Sequence, residues 1–461
     1  MEKISEREPL LPRNDSLAVN NNRPRRSFPI LEPTVLVLLF ALEMSETVYK
    51  NQVVFQVCTV VYQFSQETCA LLGTANATDA SKIIEALVQP YAANIFMIQI
   101  LLENIVPALG VLLIGPWSDK FGRKPVIIAA YLGFTIKYIS FALICFLSKT
   151  YMINPWFYVI GVIPEILLGG NSSFSIGCIS YIRDISTQQE RAFRIMVYEG
   201  CLYAGLVIGS LSSSYVLQAT NSATVLAITG SIVLFLLIYL AIFLNERMEI
   251  SPEVQSELFQ FSHVVDCMKT CVKRRPNCDR SILLLTLATL GLHDFVLRGS
   301  GTVFYLFIRE KFAWTVRQFT TYQAVAISVQ VISTTLAVIL LRKVIFLIAS
   351  SLVLAACASS LLDVVVKAAA SKPWHLYLAI GVGMIKGMVS PMSFALLTLV
   401  VPSNETGKVF SLVNALQAFL PIGSAPLYTF VYKKTLNFYP GTVHFISVGV
   451  YYICFILISY V

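Results

Sequence analysis

Charged side chains lie inside several long apolar segments of this sequence, where each of them needs a physical reason to be present. They are Glu43, Glu46, Glu103, Lys137, Glu165, Glu199, His293, Asp294, Arg298, Asp363 and Lys386. An ionised side chain at the centre of a bilayer costs about 2.5–3.5 kcal/mol on insertion scales. A carboxyl group that is shielded from water can bind and release a proton near neutral pH. These acids therefore indicate proton chemistry inside a membrane.

Four of these side chains are candidates for carrying a proton. Glu199 is the first, because it lies about a turn and a half into its apolar segment. Glu43 and Glu46 are three residues apart and share a helix face, so each disfavours ionisation of the other. His293 could titrate between about pH 5 and 8, or it could be a hydrogen-bonded packing residue. The proton is then the coupling ion, and no metal or other cofactor is predicted.

Basic side chains in the second half of the chain could hold an anionic ligand. Lys386 lies among glycines that would let helices approach closely or bend. Arg298 and Asp294 could join it in a binding site, or they could neutralise each other, since they are four residues apart on one helix. Glu103 and Lys137 leave the same choice open between a functional role and a fixed ion pair.

The segments that must position these residues are long and apolar. The chain has 461 residues, of which 56% are hydrophobic and only 13% are charged, about half the charged share of a soluble protein. The mean hydropathy is +0.72. About 20 apolar residues cross a bilayer as a helix, and continuous runs favour helices over a barrel. Twelve such runs are predicted, at about 33–49, 91–115, 125–147, 156–182, 194–218, 222–244, 281–307, 319–341, 344–366, 374–400, 409–432 and 442–461.

These runs predict an all-α membrane protein with twelve transmembrane helices in two pseudosymmetric six-helix bundles. The predicted parts are a disordered cytosolic tail (1–32), an N-terminal bundle (33–244), a cytosolic linker (245–280) and a C-terminal bundle (281–461). Placing both termini in the cytosol gives the cytosolic loops a roughly two-to-one excess of Lys and Arg. The net charge of +8 does not indicate a nucleic-acid partner, because the basic residues lie in short loops between apolar runs.

A short basic turn joins the second and third segments, and its sequence GPWSDKFGRKP begins at Gly115. Gly122 can adopt a backbone angle that other residues resist. Asp119 can cap a helix end or pair with an Arg. Arg123 and Lys124 favour the cytosolic side of the membrane. So short a connection makes the two helices antiparallel neighbours.

Three stretches resemble solute carrier family 46, the proton-coupled folate transporter family of the major facilitator superfamily. They are the turn GPWSDKFGRKP, the stretch DISTQQERAFRIMVYEG that begins at Asp184, and the pair Glu32-Pro33. The resemblance implies proton symport of a small organic anion toward the cytosol by alternating access. It assigns Asp119 and Arg123 to the conformational turn. For proton coupling it implies Glu199 and, at a nearby register, His293.

The resemblance does not extend to every position. The folate carrier has an Arg just after a Pro in the tenth segment, whereas Pro391 is followed here by Met-Ser-Phe. Residues 308–318 contain no Cys for the family's disulfide between outer loops. The anion is therefore expected to be folate-like, steroid-conjugate-like or muropeptide-like, with folate itself disfavoured. The alternatives are a proton-independent facilitative carrier and a non-transporting membrane sensor or scaffold. An enzyme is not expected, because no nucleophile, metal set or phosphate loop is present.

The long outer loop, residues 50–90, carries two features of an oxidising compartment. Asn76 begins an Asn-Ala-Thr glycosylation acceptor. Cys58 and Cys69 share the loop and could form a disulfide there or remain reduced.

The N-terminal tail contains a sorting pattern. Glu6 stands four residues before the pair Leu10-Leu11, which resembles the dileucine signal that sorting adaptors read. The pattern predicts a multi-pass protein of lysosomal or endosomal membranes, with the plasma membrane as the alternative. The lipid bilayer, sorting adaptors and the organic anion are the expected partners.

Overall fold

The structure is a computed structural model that describes residues 30–74, 79–186, 190–245, 273, 279–344, 349–402, 406–436 and 438–461. The predicted sorting residues Glu6, Leu10 and Leu11, the acceptor Asn76 and most of the predicted linker lie outside these ranges. Their roles stay predictions.

Helices make up nearly all of the described chain, and no strand occurs within those ranges. Their bounds are α1 Leu31–Gln56, α2 Gln66–Ala70, α3 Asp79–Phe121, α4 Lys124–Leu147, α5 Phe157–Leu167, α6 Gly170–Ile185, α7 Arg191–Ala219, α8 Ser222–Phe243, α9 Asp279–Phe312, α10 Val316–Val344, α11 Ala349–Ala369, α12 Pro373–Val382, α13 Val389–Val400, α14 Thr406–Thr435 and α15 Thr442–Ser459. A π-helical turn, Val57–Val61, extends α1, and a 3₁₀ turn, Lys386–Met388, separates α12 from α13. The predicted all-α fold is confirmed.

Over the residues that the structure describes, each of the twelve predicted segments is helical, with a break in the fourth and in the tenth, but they differ in how apolar they are. Among the described residues, eight helices are long and apolar enough to cross a membrane, and nine if the pair α12–α13, bent by 45°, counts as one span. The helix α1 is not among these apolar helices, because it carries the charged residues Glu43, Glu46 and Lys50 near its middle. The number of twelve spans therefore stays a prediction.

Equivalent helices pack in the same way in the two halves of the chain. In the first half α1 packs along α7 and α4 along α8, and in the second half α9 packs along α14 and α11 along α15. The two halves meet where α3 contacts α14 and α9, and where α7 contacts α10. This repeated pairing is the pseudosymmetry that the sequence predicts.

Two glycines set the close contact between α1 and α7. A Cβ atom at Gly205 would lie 2.5 Å from the carbonyl oxygen of Leu36, and one at Gly209 would lie 2.5 Å from that of Phe40. Both distances are too short for any side chain, so the two backbones touch along this line.

We expect Gly209→Ala to destabilise the purified protein by about 1–3 kcal/mol, because the new methyl group pushes against the α1 backbone. The measurement is the melting temperature in detergent. Gly200→Ala is the matched control on the same helix, since a Cβ there meets nothing within 4 Å. Equal melting of the two variants would contradict the close contact.

The two ends of the helices carry different chemistry. Cys58 and Cys69 form a disulfide, which decides between the two states that the sequence left open, and we call this the disulfide end. The turn between α3 and α4 lies at the other, turn end, and Gly122 has the predicted left-handed backbone there, with a φ of 98°. Disulfides persist in oxidising compartments, so the disulfide end fits an exposure to a lumen or the cell exterior.

Candidate functional site

A cavity of about 350 Å³ lies among α1, α3, α4, α5, α6, α7 and α9. Its charged lining residues are four carboxylic acids and two lysines, namely Glu43, Glu46, Glu103, Glu165, Lys50 and Lys137. We call it the central cavity. Most of its lining comes from the first half of the chain, and Thr302 of α9 closes it from the second half.

Lys137 connects two of the acids. Its Nζ atom lies 2.8 Å from Oε1 of Glu103 and 2.6 Å from Oε2 of Glu165. Gln99 donates a second hydrogen bond to Glu103 at 2.9 Å, and Tyr49 donates one to Gln99. The pairing of Glu103 with Lys137, which the sequence left open, is present, and it extends to Glu165.

The local backbone explains how Glu165 reaches Lys137. Gly169 and Gly170 both have positive φ values, 92° and 52°, and they separate α5 from α6 just after Glu165. On α4, a Cβ atom at Gly133 would lie 2.9 Å from the Cα atom of Glu165. The missing side chain lets α5 approach α4 one turn before Lys137, so the ion pair forms at a broken helix.

The two acids of α1 differ in their partners. Glu46 pairs with Lys50 on the same helix at 2.9 Å. Glu43 accepts a hydrogen bond of 2.6 Å from Nε2 of Gln323, which belongs to α10 in the other half. Both acids line the central cavity and so share the helix face that their spacing predicts, and Glu43 joins the two halves.

Lys386, a predicted anion-binding residue, is part of a second ion cluster. Its Nζ atom lies 3.1 Å from Oδ2 of Asp363, which also receives Lys367 at 2.8 Å. A Cβ atom at Gly383 would lie 2.8 Å from Cβ of Asp363, so α12 approaches α11 closely at its break. The cluster repeats the arrangement around Lys137 with the signs of charge exchanged.

The three candidate residues of α9 have different surroundings. The buried His293 shares a hydrogen bond of 3.1 Å with the hydroxyl of Tyr451, away from the central cavity lining. Asp294 accepts a hydrogen bond from Gln417, and no ion pair with Arg298 occurs among the described residues. Arg298 is exposed and lies one helical turn from Thr302.

Glu199 is not among the residues that line the central cavity. It is half-buried on α7 and stands seven residues before Leu206, which does line the cavity. That spacing puts Glu199 on nearly the same helix face, about 10 Å closer to the turn end. The structure therefore separates this candidate from the four acids.

At the turn end, the two longest stretches of the family resemblance contact each other. Nε of Arg123 lies 3.0 Å from Oδ2 of Asp184, and Nζ of Lys124 donates to the carbonyl oxygen of Ala241 at 2.8 Å. Gly115 lies within α3, and the side chain of Asp119 lies outside what the structure describes.

Sequence reasoning missed a polar contact between the halves at the disulfide end. Arg309 lies 2.5 Å from Oε1 of Glu85 and donates to Oδ1 of Asn51 at 2.6 Å. Tyr432 donates to Gln89 nearby at 2.5 Å. The apolar runs alone leave Glu85 and Arg309 in loops, but α3 and α9 extend beyond these runs, because their polar turns pair across the interface between the halves.

Comparison with known proteins identifies the family. The model of the Major Facilitator Superfamily matches residues 83–426. A protein of Drosophila melanogaster, described as a probable peptidoglycan muropeptide transporter SLC46, is 37% identical over 439 residues, which cover 93% of this chain and 85% of that protein. The chain belongs to solute carrier family 46 of the major facilitator superfamily. The resemblance found in its motifs is confirmed.

Other family-46 and superfamily proteins support the same conclusion. The lysosomal proton-coupled steroid conjugate and bile acid symporter SLC46A3 of Rattus norvegicus is 23% identical, with 91% of each chain covered. A crystal structure of the peptide transporter POT bound to alafosfalin superposes with a TM-score of 0.61 at 12% identity, over 94% of this chain and 96% of that one. The fold is the major facilitator fold, and this family-46 member is a multi-pass membrane transporter.

Proposed function

We propose that this family-46 transporter is a symporter that moves a small organic anion toward the cytosol together with protons. The observation that carries the proposal is the charge excess in the central cavity, where four carboxyl groups face two ammonium groups. If all six were ionised, two negative charges would remain uncompensated in a poorly solvated space, which is costly. Protons relieve that cost, and they also remove the repulsion that an entering anion would meet.

Glu43 is the acid best placed to couple a proton to movement. Its carboxylate accepts the hydrogen bond from Gln323 of the opposite half, so a change in its charge alters a contact between the halves. Glu46 is already neutralised in part by Lys50. Glu199 and His293 remain further candidates for proton coupling, with Glu199 nearer to the turn end, where the proton would be released.

Three anion classes fit the family, and we favour a muropeptide-like substrate. The relative with 37% identity is described as a probable muropeptide transporter, whereas the steroid-conjugate symporter is 23% identical. Arg298 is the cation best placed for the anion, because it is exposed one turn from the central cavity and has no ion-pair partner among the described residues. Asp294 would adjust the position of the Arg298 side chain. Lys386 would bind the anion only if it left Asp363.

We expect uptake into vesicles to be faster at about pH 5.5 than at about pH 7.5, with a labelled muramyl dipeptide as the probe. Glu43→Gln should remove the pH dependence of uptake. It should also lower uptake at the acidic pH by about 5- to 150-fold, the range that corresponds to a typical coupling free energy. Glu67→Gln, at an exposed acid of the short helix α2, is the control that should change nothing.

The alternatives make different predictions in the same assay. Uptake that is equal at both pH values in the unaltered protein would support a proton-independent facilitative carrier. A protein that binds the probe but never accumulates it would support a sensor or scaffold.

We propose a lysosomal or endosomal membrane as its location, with the plasma membrane as the alternative. The lysosomal relative and the dileucine pattern at Glu6, Leu10 and Leu11 support this proposal. Leu10→Ala combined with Leu11→Ala should move the protein to the cell surface in fluorescence images. An unchanged distribution would remove sorting adaptors from the expected partners.

A further inference from the structure

We propose that a second cavity, at the disulfide end, is a binding site for carboxylates and similar oxyanions. This cavity has a volume of about 590 Å³ and lies between the disulfide-linked loop, the ends of α1 and α7 and the start of α10. We call it the vestibule. Two guanidinium groups line it, those of Arg309 and Arg317, and none of its lining residues is an Asp or a Glu. The charges of its lining are thus opposite in sign to the excess in the central cavity, although Glu85, which does not line the vestibule, pairs with Arg309.

Arg309 keeps part of its hydrogen-bonding capacity unused. The side chain is almost fully buried, with 2% exposed, and its Nε and Nη1 atoms are occupied by Glu85, Asn51 and Tyr305. Nη2 has no hydrogen-bond partner and lies beside Gly73, which also lines the vestibule. A buried guanidinium edge without an acceptor is unfavourable, and a ligand oxygen would satisfy it.

Other donors of the vestibule are also available. Ser214 is buried and its hydroxyl has no hydrogen-bond partner, although it lines the same cavity. Arg317 is exposed, stands 5.1 Å from the ring centre of Tyr215, and forms no ion pair among the described residues. Planar guanidinium groups bind carboxylate oxygens in pairs, so the vestibule has the donor set for an oxyanion.

The position of the vestibule gives the site a role that rests on the proposed direction of transport. An anion arriving at the disulfide end meets two arginines before it meets the four acids deeper in the molecule. The vestibule would hold the anion until protons neutralise those acids.

The test uses the purified full-length protein in detergent, with citrate as the probe and chloride at equal ionic strength as the reference. Citrate should raise the melting temperature above that in chloride. Arg317→Gln should weaken the apparent citrate affinity at least about tenfold, since a charge-assisted hydrogen bond is lost. Ser214→Ala should weaken it less, and Lys149→Gln, at an exposed lysine of another loop, should leave it unchanged.

Two results would overturn the proposal: no citrate-specific stabilisation of the unaltered protein, or the same apparent affinity in Arg317→Gln. Arg317 is exposed, so its replacement should leave the fold intact, and Ser214→Ala gives an independent reading at a neutral side chain. The assay involves neither a proton gradient nor uptake. A failure of proton-coupled transport would therefore leave the result of the citrate assay unaffected. A failure of citrate binding would likewise leave the transport proposal untouched.

Discussion

Lys137→Gln is expected to destabilise the protein by about 3–5 kcal/mol, the usual effect of removing one partner from a buried ion pair. The ammonium group stands between Glu103 and Glu165, and only 4% of the Glu165 side chain is exposed. Without the lysine, two carboxylates face each other with no cation between them. The measurement is the melting temperature and the yield of monodisperse protein after purification.

Two further variants isolate this effect. Glu165→Gln added to Lys137→Gln should recover most of the lost stability, because it removes the charge that was left without a partner. Lys367→Gln is the matched control in the other half, since Asp363 keeps Lys386 when Lys367 is lost. If Lys137→Gln proves no less stable than Lys367→Gln, the central role given to Lys137 is wrong.

The second large effect is expected for Arg309→Gln, which should open the disulfide end. The arginine ties α9 to Glu85 of α3 and to Asn51 of α1. In a conformation open at this end, water would solvate Glu85. Replacing Arg309 therefore destabilises mainly the closed conformation. A buried contact worth about 3–5 kcal/mol would shift the equilibrium between the two conformations by more than about a hundredfold.

Cysteine labelling can measure that shift. Ala93 is fully buried on α3, one turn beyond the interface residue Gln89. In Ala93→Cys, a membrane-impermeant thiol reagent should react much faster when Arg309→Gln is also present. Arg317→Gln is the control, because its exposed contact with Tyr215 is weak. Equal labelling rates in the two backgrounds would show that Arg309 does not hold this end closed.

The sequence predicts the fold well because bilayer thickness and short turns leave few choices. The apolar runs give the helices, and Gly122 adopts the left-handed angle that its turn requires. The shared face of Glu43 and Glu46 follows from helix geometry alone. That Cys58 and Cys69 share one loop made a disulfide possible, but the sequence did not decide whether it forms.

The site is harder to predict because its contacts are distant in sequence. Arg309 and Glu85 are separated by 224 residues, and spacing rules apply only within one helix. Glu165 reaches Lys137 at a helix break, because α5 ends at Leu167 just before Gly169, and hydropathy does not reveal this break. Lys386 was expected to be available to a substrate, but α12 ends where it brings this side chain to Asp363.

The exchanged signs of the two ion clusters have a consequence for the timing of transport. The cluster of acids around Lys137 in the first half carries a negative excess, and the cluster of Asp363 with its two lysines in the second half carries a positive one. Opposite excesses attract across the interface. In the proposed cycle each proton weakens this attraction from one side, and each bound anion weakens it from the other. A carrier that holds both cargoes would therefore change conformation more readily than one that holds only one of them, which suppresses leakage of either cargo alone.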